Sequence, residues 1–425
     1  MPRPPAGSSA LDVIPALVSS LLADEYRRGD KMEDASDPES GKIKDESLKL
    51  VFGQLPHRRG LARQRTSGRA PQIGLFAANG VPRRNPQKGR DAAPPLPNED
   101  NKAEGLQMLV SANAYYRENL WPEPYDRTTH RLCLGDARDL SWIPDRSVHL
   151  VVTSPPYWTL KEYAPDNDGQ MGHIADYELF LDELDKVWRE CERVLAGGGR
   201  ICCVVGDVCI PRKRGGKHHV VPLHSDIQVR ARRLNLDCLT PILWHKIANG
   251  ATEVEGNGAG FYGKPYQPGG IIKNDIEYIL FLRKGGEYRS TPMLQKALSM
   301  LTREEMQSWQ RSIRTDLRGA STRDGHPAPY PVELAERLIR LFSFAGDTIL
   351  DPFAGTGSTP LAAMISGRSS ISNEIEPAYV EIARARLLDA ASQPVSSGSG
   401  VAEVTVDPTA RTTGISTARR IQAHL

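Results

Sequence analysis

The chain has 425 residues, 39% of them hydrophobic and 25% charged, with a net charge of +2. That is length enough for a sizeable core and the polar share of a soluble, cytoplasmic globular protein. The near-balanced charge excludes a global field that draws the chain to nucleic acid, so any such attraction has to come from local patches.

The early run "LDVIPALVSSLL" is interrupted by Pro15 and followed by charges, which reads as an amphipathic helix rather than a targeting signal. Nothing approaches the roughly 20 apolar residues of a membrane span. The stretch "HRRGLARQRTSGRAPQIGLFAANGVPRRNPQKGR" is rich in Arg, Pro and Gly, lacks acids and has no sustained period. Residues 1–105 are therefore expected to be a disordered basic extension, able at most to touch phosphates.

A strand–helix alternation then sets in. "HRLCLGDARDL" and "SVHLVVTS" read as strands. "DYELFLDELDKVWRECERVL" places Tyr177, Phe180, Leu181, Leu184, Val187, Trp188, Cys191 and Leu195 at three-and-four spacing, an amphipathic helix that "AGGG" should end. "RICCVVGDV" reads as a buried strand, "SDIQVRARRL" as a basic helix, and "CLTPILWHK" and "DIEYILFLRK" as two more strands. Further on come a helix at "VELAERLIRLFS", a strand at "TILDPF", a helix at "TPLAAMIS", a strand at "SSISNEIE" and a helix at "AYVEIARARLLDA". This order predicts an α/β fold with a doubly wound, mostly parallel, Rossmann-like sheet. Residues 391–425 read as a flexible tail. The six cysteines form no C-x-x-C pair and sit mostly in apolar runs, as reduced core residues do.

Two segments carry chemistry. "DPFAGTGST" (residues 351–359) joins a strand to a helix, and Gly355 and Gly357 allow a tight turn with close backbone approach to a ligand. Glu374 ends the next strand, with two oxygens suited to a pair of ribose hydroxyls. A nicotinamide dinucleotide fingerprint would need a glycine where Pro360 stands, and a phosphate-binding P-loop would need a lysine. The second segment, "TSPPY", has two consecutive prolines without N–H groups, so it offers acceptors and almost no donors. Such a loop suits a substrate that presents an amino group. Ser154 adds an acceptor, and Tyr157 a flat face on which a ring can stack.

Thr153-Ser-Pro-Pro-Tyr157 followed by Asp351-Pro-Phe-Ala-Gly-Thr-Gly357 resembles the amino-methylating DNA methyltransferases, and the order of the two motifs resembles their β group, a circular permutation of one sheet. "GDARDL", "HPAPYP" and "NEIEP" fall where that resemblance leads one to expect them. It implies a methyltransferase domain over residues 106–390, with a catalytic half at about 128–284, a target-recognition segment at about 285–325 and a cofactor half at about 326–390. It implies S-adenosylmethionine as cofactor, held by Asp136, Thr153, His326, Tyr330, Asp351, Phe353, Gly355, Gly357, Ser358 and Glu374. Ser154, Pro155, Pro156 and Tyr157 would be catalytic, acting on a base flipped out of double-stranded DNA. Ser rather than Asp before Pro-Pro points to cytosine N4, with adenine N6 as the alternative; no Pro-Cys pair serves C5 chemistry. A catalytically silent DNA-binding relative is the rival of another class.

Arg212, Lys213 and Arg214, together with Arg311, Arg314, Arg318 and Arg323, are candidates for phosphates or guanine edges. Thr302 and Glu305 make a capping box there. His218 and His219 fit a basic loop better than a metal site, and no metal is expected. A cognate restriction endonuclease is a possible partner, and the enzyme is expected to be a monomer or homodimer. Two departures stand out: Pro360 opens the glycine-motif helix, and Asn373 occupies an expected apolar strand position.

Overall fold

A computed structural model describes residues 92–158, 169–210, 217, 219–246, 274–319, 330–394 and 397–407. The chain forms two compact units. Of the smaller, residues 92 and 97–108 are described, and they contribute the opening turns of helix α1 (Ala103–Glu118). The larger unit, residues 93–96 and 109–425, holds everything that follows.

In chain order its strands are β1 (Arg127–Leu134), β2 (Val148–Thr153), β3 (Leu195–Val205), β4 (Val208–Ile210), β5 (His219–Val221), β6 (Leu236–His245), β7 (Ile276–Lys284), β8 (Ile313–Arg314), β9 (Thr348–Asp351), β10 (Ser369–Glu374) and β11 (Val401–Asp407). The further helices are α2 (Tyr177–Val194), α3 (Leu223–Arg233), α4 (Met293–Ser299), α5 (Arg303–Trp309), α6 (Val332–Phe342), α7 (Ser358–Ile365) and α8 (Pro377–Ser392). Nine strands make one sheet in the order β11-β1-β10-β9-β2-β3-β7-β6-β8, while β4 and β5 pair separately. From β11 to β3 all neighbours are parallel, and β7 runs antiparallel to both β3 and β6. The predicted doubly wound, mostly parallel α/β fold is what the chain adopts.

Both faces of the sheet are covered, and β3 shows how. Ile201, Cys203 and Val205 join the core cluster beneath α2 and α3, while Cys202 and Val204 join the cluster beneath α6 and α7. A central parallel strand needs apolar residues at every position for this reason. Helix α2 buries Phe180, Leu181, Leu184, Val187, Trp188, Cys191 and Val194, and Asp176 caps it by accepting from Leu179 N at 2.8 Å. It ends at Val194, and "AGGG" runs inside β3 rather than forming a terminating loop.

Strand order reverses between β9 and β2: β9, β10 and β1 run outward on one side, β2 and β3 on the other. Such a switch point opens a crevice at the carboxyl ends of the strands. β1 therefore belongs beside β10 on the cofactor side, although it opens the predicted catalytic half.

Two expectations need correction. The tail is not uniformly flexible, because β11 pairs in parallel with β1 and Arg131 ion-pairs Asp407 at 2.6 Å. The described part of the predicted recognition segment, residues 285–319, is packed against α1 and the segment before β9. Ala297 and Leu298 of α4 pack with Leu109, Ala112 and Tyr116 of α1, and Gln295 donates to the Ala345 carbonyl at 2.7 Å. The Thr302–Glu305 capping box is formed, and Glu305 also accepts from Arg117 and Arg340 at 2.7 Å each. Lastly, Arg314 is 1% exposed and donates to the Trp309 carbonyl at 2.7 Å, so it cannot reach DNA. The pairing of β8 with β6 turns its side chain inward, and burial lowers its guanidinium to about 10.

Candidate active site

The crevice is a cavity walled by loops from four parallel strands. Gly135–Ala137 follow β1, Ser154 and Pro156 follow β2, Pro352–Thr356 follow β9, and Glu374 and Ile375 close β10. Gln170, Met171, Tyr330, Ser358, Asn373 and Tyr379 also line it.

Glu374 is the best-held side chain in this wall. Its Oε2 accepts from Gly355 N at 2.8 Å, and its Oε1 accepts from Ile375 N and Glu376 N at 3.0 Å each. Burial nevertheless pushes its carboxyl up to about 7, against the pull of those three amides. No lysine or arginine among the described residues pairs with it. Gly355 makes its bond from a left-handed conformation, φ 52°, which glycine adopts without a Cβ clash. Gly357 also has positive φ, 84°, and a Cβ there would meet the Ala383 Cβ at 2.9 Å. Gly357 thus lets α8 approach α7 and does not line the cavity. Pro360 falls in the first turn of α7, where an absent N–H leaves no helical bond unmade.

Asp351 and Thr153 also lie behind the wall instead of lining it. Thr153 Oγ1 donates to Asp351 Oδ1 at 2.7 Å, Phe353 N donates to the same oxygen at 3.1 Å, and the Tyr330 hydroxyl donates to Oδ2 at 3.0 Å. Tyr330 also bonds the Thr359 hydroxyl. Burial raises the Asp351 carboxyl above its ordinary range, and these bonds moderate the rise. This network fastens the proline loop to the glycine loop. Tyr330, Phe353, Gly355 and Ser358 do line the cavity, and Ser358 Oγ donates to the Tyr330 carbonyl at 2.9 Å.

Asp136 lines the cavity, but its carboxylate is gripped by Arg138, whose Nε lies 2.9 Å from both oxygens. Arg138 also donates to Glu183 at 2.9 Å and to the Gly169 carbonyl at 3.1 Å, joining three segments of the wall.

In the proline loop, Ser154 Oγ donates to Tyr157 Oη at 3.2 Å, and no hydrogen bond from the described residues reaches the Pro155 carbonyl. Tyr157 is 5% exposed and belongs to the core cluster beneath α2. Trp158 follows with φ 46°, an uncommon conformation for a bulky residue. It is held there by Nε1 donating to the Ile174 carbonyl at 2.9 Å and by an edge contact with Tyr177 at 5.0 Å. Backbone strain held by its surroundings is characteristic of functional loops.

Residues that sequence reasoning missed are Arg138, Gln170, Met171 and Tyr379. The only available signal was Arg138, which stands two residues after Asp136 in a turn. Arg311 and Arg318 are exposed. His326, Arg323, Arg212, Lys213, Arg214, His218 and most of the N-terminal extension lie outside the described residues. No cluster able to hold a metal ion occurs among the described residues, and no helix of the described residues is long and apolar enough to cross a membrane.

Strand order and cavity together define an α/β protein with a candidate ligand crevice at the switch point of its sheet. A family model described as DNA methylase matches residues 148–385, and the chain belongs to that family. It is 35% identical to the type II methyltransferase M.MthZI of Methanothermobacter thermautotrophicus over 61% of this chain and 77% of that one. It is 36% identical to the type II methyltransferase M.MjaI of Methanocaldococcus jannaschii over 59% of this chain and 88% of that one. Among solved structures, a Thermus thermophilus protein provisionally assigned as a DNA modification methylase, in complex with S-adenosyl-L-methionine, is 47% identical. That match covers 66% of this chain and 99% of the other, with a TM-score of 0.53.

Proposed function

We propose that the protein transfers a methyl group from S-adenosylmethionine to the N4 amine of a cytosine flipped out of double-stranded DNA. The observation that carries this reading is that Ser154 lines the same cavity as Glu374, so one crevice joins an amine acceptor to a carboxylate suited to ribose hydroxyls. The residues fit the cofactor. Glu374 is a half-buried carboxyl group with which no lysine or arginine among the described residues pairs, which suits a cationic ligand bearing a diol. Gly355 keeps the backbone close, and Phe353 and Met171 supply apolar surface.

When bound, S-adenosylmethionine supplies an electrophilic methyl group on sulfonium sulfur. The protein's part is to hold the amine. Its nitrogen is a poor nucleophile because its lone pair is delocalised into the ring. Ser154 Oγ and the Pro155 carbonyl accept its two hydrogens, favour a tetrahedral nitrogen and tolerate the positive charge that grows there. Tyr157 supports the ring, and the two prolines keep competing donors away. In-line positioning, rather than acid–base catalysis, supplies most of the acceleration. Serine before Pro-Pro supports cytosine over adenine, whose N6 amine is the second reading. The type II names of the relatives support a restriction-linked role with a cognate endonuclease.

The test is direct. Incubated with labelled S-adenosylmethionine and varied duplex DNA, the protein should yield N4-methylcytosine on digestion to nucleosides. N6-methyladenine alone overturns the base assignment, and no transfer to any duplex overturns the enzymatic reading.

A further inference from the structure

We infer that Asn373 is a positioning residue for the cofactor, its side-chain amide tying together the two loops that wall the cavity from β1 and from β9. This rests on the reading of that cavity as the S-adenosylmethionine site. Asn373 is the penultimate residue of β10 and is 1% exposed, at a position where a central parallel strand calls for an apolar side chain.

Its Nδ2 donates to the Gly135 carbonyl at 3.0 Å and reaches the Pro352 carbonyl at 3.5 Å. Gly135 opens the loop after β1, and Pro352 opens the loop after β9. No other donor among the described residues reaches either carbonyl. The backbone reinforces the same junction. Ala354 N donates to the Asn373 carbonyl at 3.0 Å, and Gly135 N donates to the Glu374 carbonyl at 2.9 Å. Asn373 and Glu374 are thus a spine from which both loops hang, and the amide is its side-chain crosspiece.

The arrangement has a cost. Asn373 Oδ1 is buried without a partner. An unmade bond at a buried acceptor is worth about 1–3 kcal/mol, which leucine at the same place would not incur. Leucine would in turn leave the two loop carbonyls without their donor. The two effects oppose one another in overall stability, but only one bears on the cavity wall. A residue that merely filled the core would show no such separation. Gly135 gives an independent handle: a Cβ there would stand 3.0 Å from Asn373 Oδ1, so alanine pushes the amide aside without removing it.

The experiment compares the full-length protein with Asn373→Leu, Asn373→Asp and Gly135→Ala. Calorimetry measures S-adenosylmethionine affinity, and melting without cofactor measures stability. Asn373→Leu and Gly135→Ala should each weaken cofactor binding about tenfold, about 1.4 kcal/mol, with little change in melting temperature. Asn373→Asp replaces the donor with an anion facing two carbonyls, so its affinity relative to wild type at the same pH should be lowest near about pH 8, and the gap should narrow as the carboxyl protonates towards about pH 6, regaining an O–H donor. Wild-type affinity for Asn373→Leu overturns the inference. So does a loss of affinity in Asn373→Leu and Gly135→Ala that merely follows a fall in melting temperature. If the wild-type protein itself fails to bind S-adenosylmethionine, the reading of the cavity is what fails, and this inference falls with it.

Discussion

Lowering the pH from about 8 to about 6 should weaken S-adenosylmethionine binding about tenfold, because it protonates Glu374. The three backbone amides on its carboxylate leave lone pairs for ribose hydroxyls, and burial has lifted its pKa from the ordinary 4.5 to about 7. Above that value the group is an acceptor on both oxygens. Below it one oxygen carries a proton, and affinity should fall by about a factor of ten per pH unit. Stability runs the other way. A raised carboxyl favours the folded state while it is protonated, so this contribution is whole below 4.5 and is lost as pH rises through about 7. The rise corresponds to about 3 kcal/mol at about 1.4 kcal/mol per unit. Calorimetric titration of the cofactor, paired with urea melts of the free protein across this range, measures both slopes. The amino group of the cofactor also titrates nearby, so Glu374→Gln serves as the control: it should bind weakly and lose the part of the slope that belongs to the protein. Wild-type affinity that is flat from about pH 6 to about pH 8, or an unchanged slope in Glu374→Gln, refutes the reasoning.

Tyr157→Ala should reduce methyl transfer by more than about a hundredfold and, because the ring is in the core, lower stability by about 3 kcal/mol, with cofactor affinity nearly unchanged. Equal loss of transfer and cofactor binding would make the residue purely structural. Arg314→Met should leave DNA affinity and its salt dependence unchanged and should not lower the melting temperature, since two of the guanidinium nitrogens are buried without partners; a shallower salt slope would return this residue to the DNA interface. Ending the chain after residue 393 removes β11, and with it the partly buried Val404 and Val406, which should lower stability by about 2 kcal/mol in a urea melt. Asp351→Asn keeps the acceptor for Thr153 and Phe353 but removes a buried charge, so the free variant should melt higher than wild type near about pH 8 and the two should converge as pH falls. A lower melting temperature at the higher pH would show that the charge is compensated.

The sheet and its helices were legible because a buried parallel strand and a two-faced helix impose strong periods. "RICCVVGDV" and "DYELFLDELDKVWRECERVL" could hardly be anything else. β11 was not legible. "VAEVTVD" has the alternation of a strand, but it sits between Gly-Ser and Pro-Thr stretches, and only the open edge of β1 makes it one. Helix α1 went unseen because its apolar residues are spread around the helix, and its burial is set by α4, nearly two hundred residues away. The site divided along the same line. Residues that line the cavity, Ser154, Phe353, Gly355 and Glu374, stand in the motifs that singled them out. Arg138 and Asn373 act on other residues of the wall, and such partners are fixed by the fold rather than by spacing. Arg314 failed for the converse reason: a charged side chain in a charged stretch reads as exposed until a strand pair turns it inward.

The Thr153–Asp351 bond gives the two motifs a common physical footing. Thr153 ends the strand that leads into the proline loop, and Asp351 ends the strand that leads into the glycine turn. β2 and β9 are neighbours at the switch point, so residues 198 apart in sequence are joined by a hydrogen bond of 2.7 Å, donated by the Thr153 hydroxyl to the Asp351 carboxylate. Methyl transfer in line tolerates little error between donor and acceptor. A flexible link between the halves would have to recover that alignment in every turnover. Here the alignment is carried by two adjacent strands and by one buried carboxylate that Tyr330 and Phe353 N also hold. Circular permutation of the chain does not disturb this geometry, because it changes which loops connect the strands but not which strands lie side by side. What must be preserved is the adjacency of β2 and β9, and the order in which the sequence reaches them is free to vary.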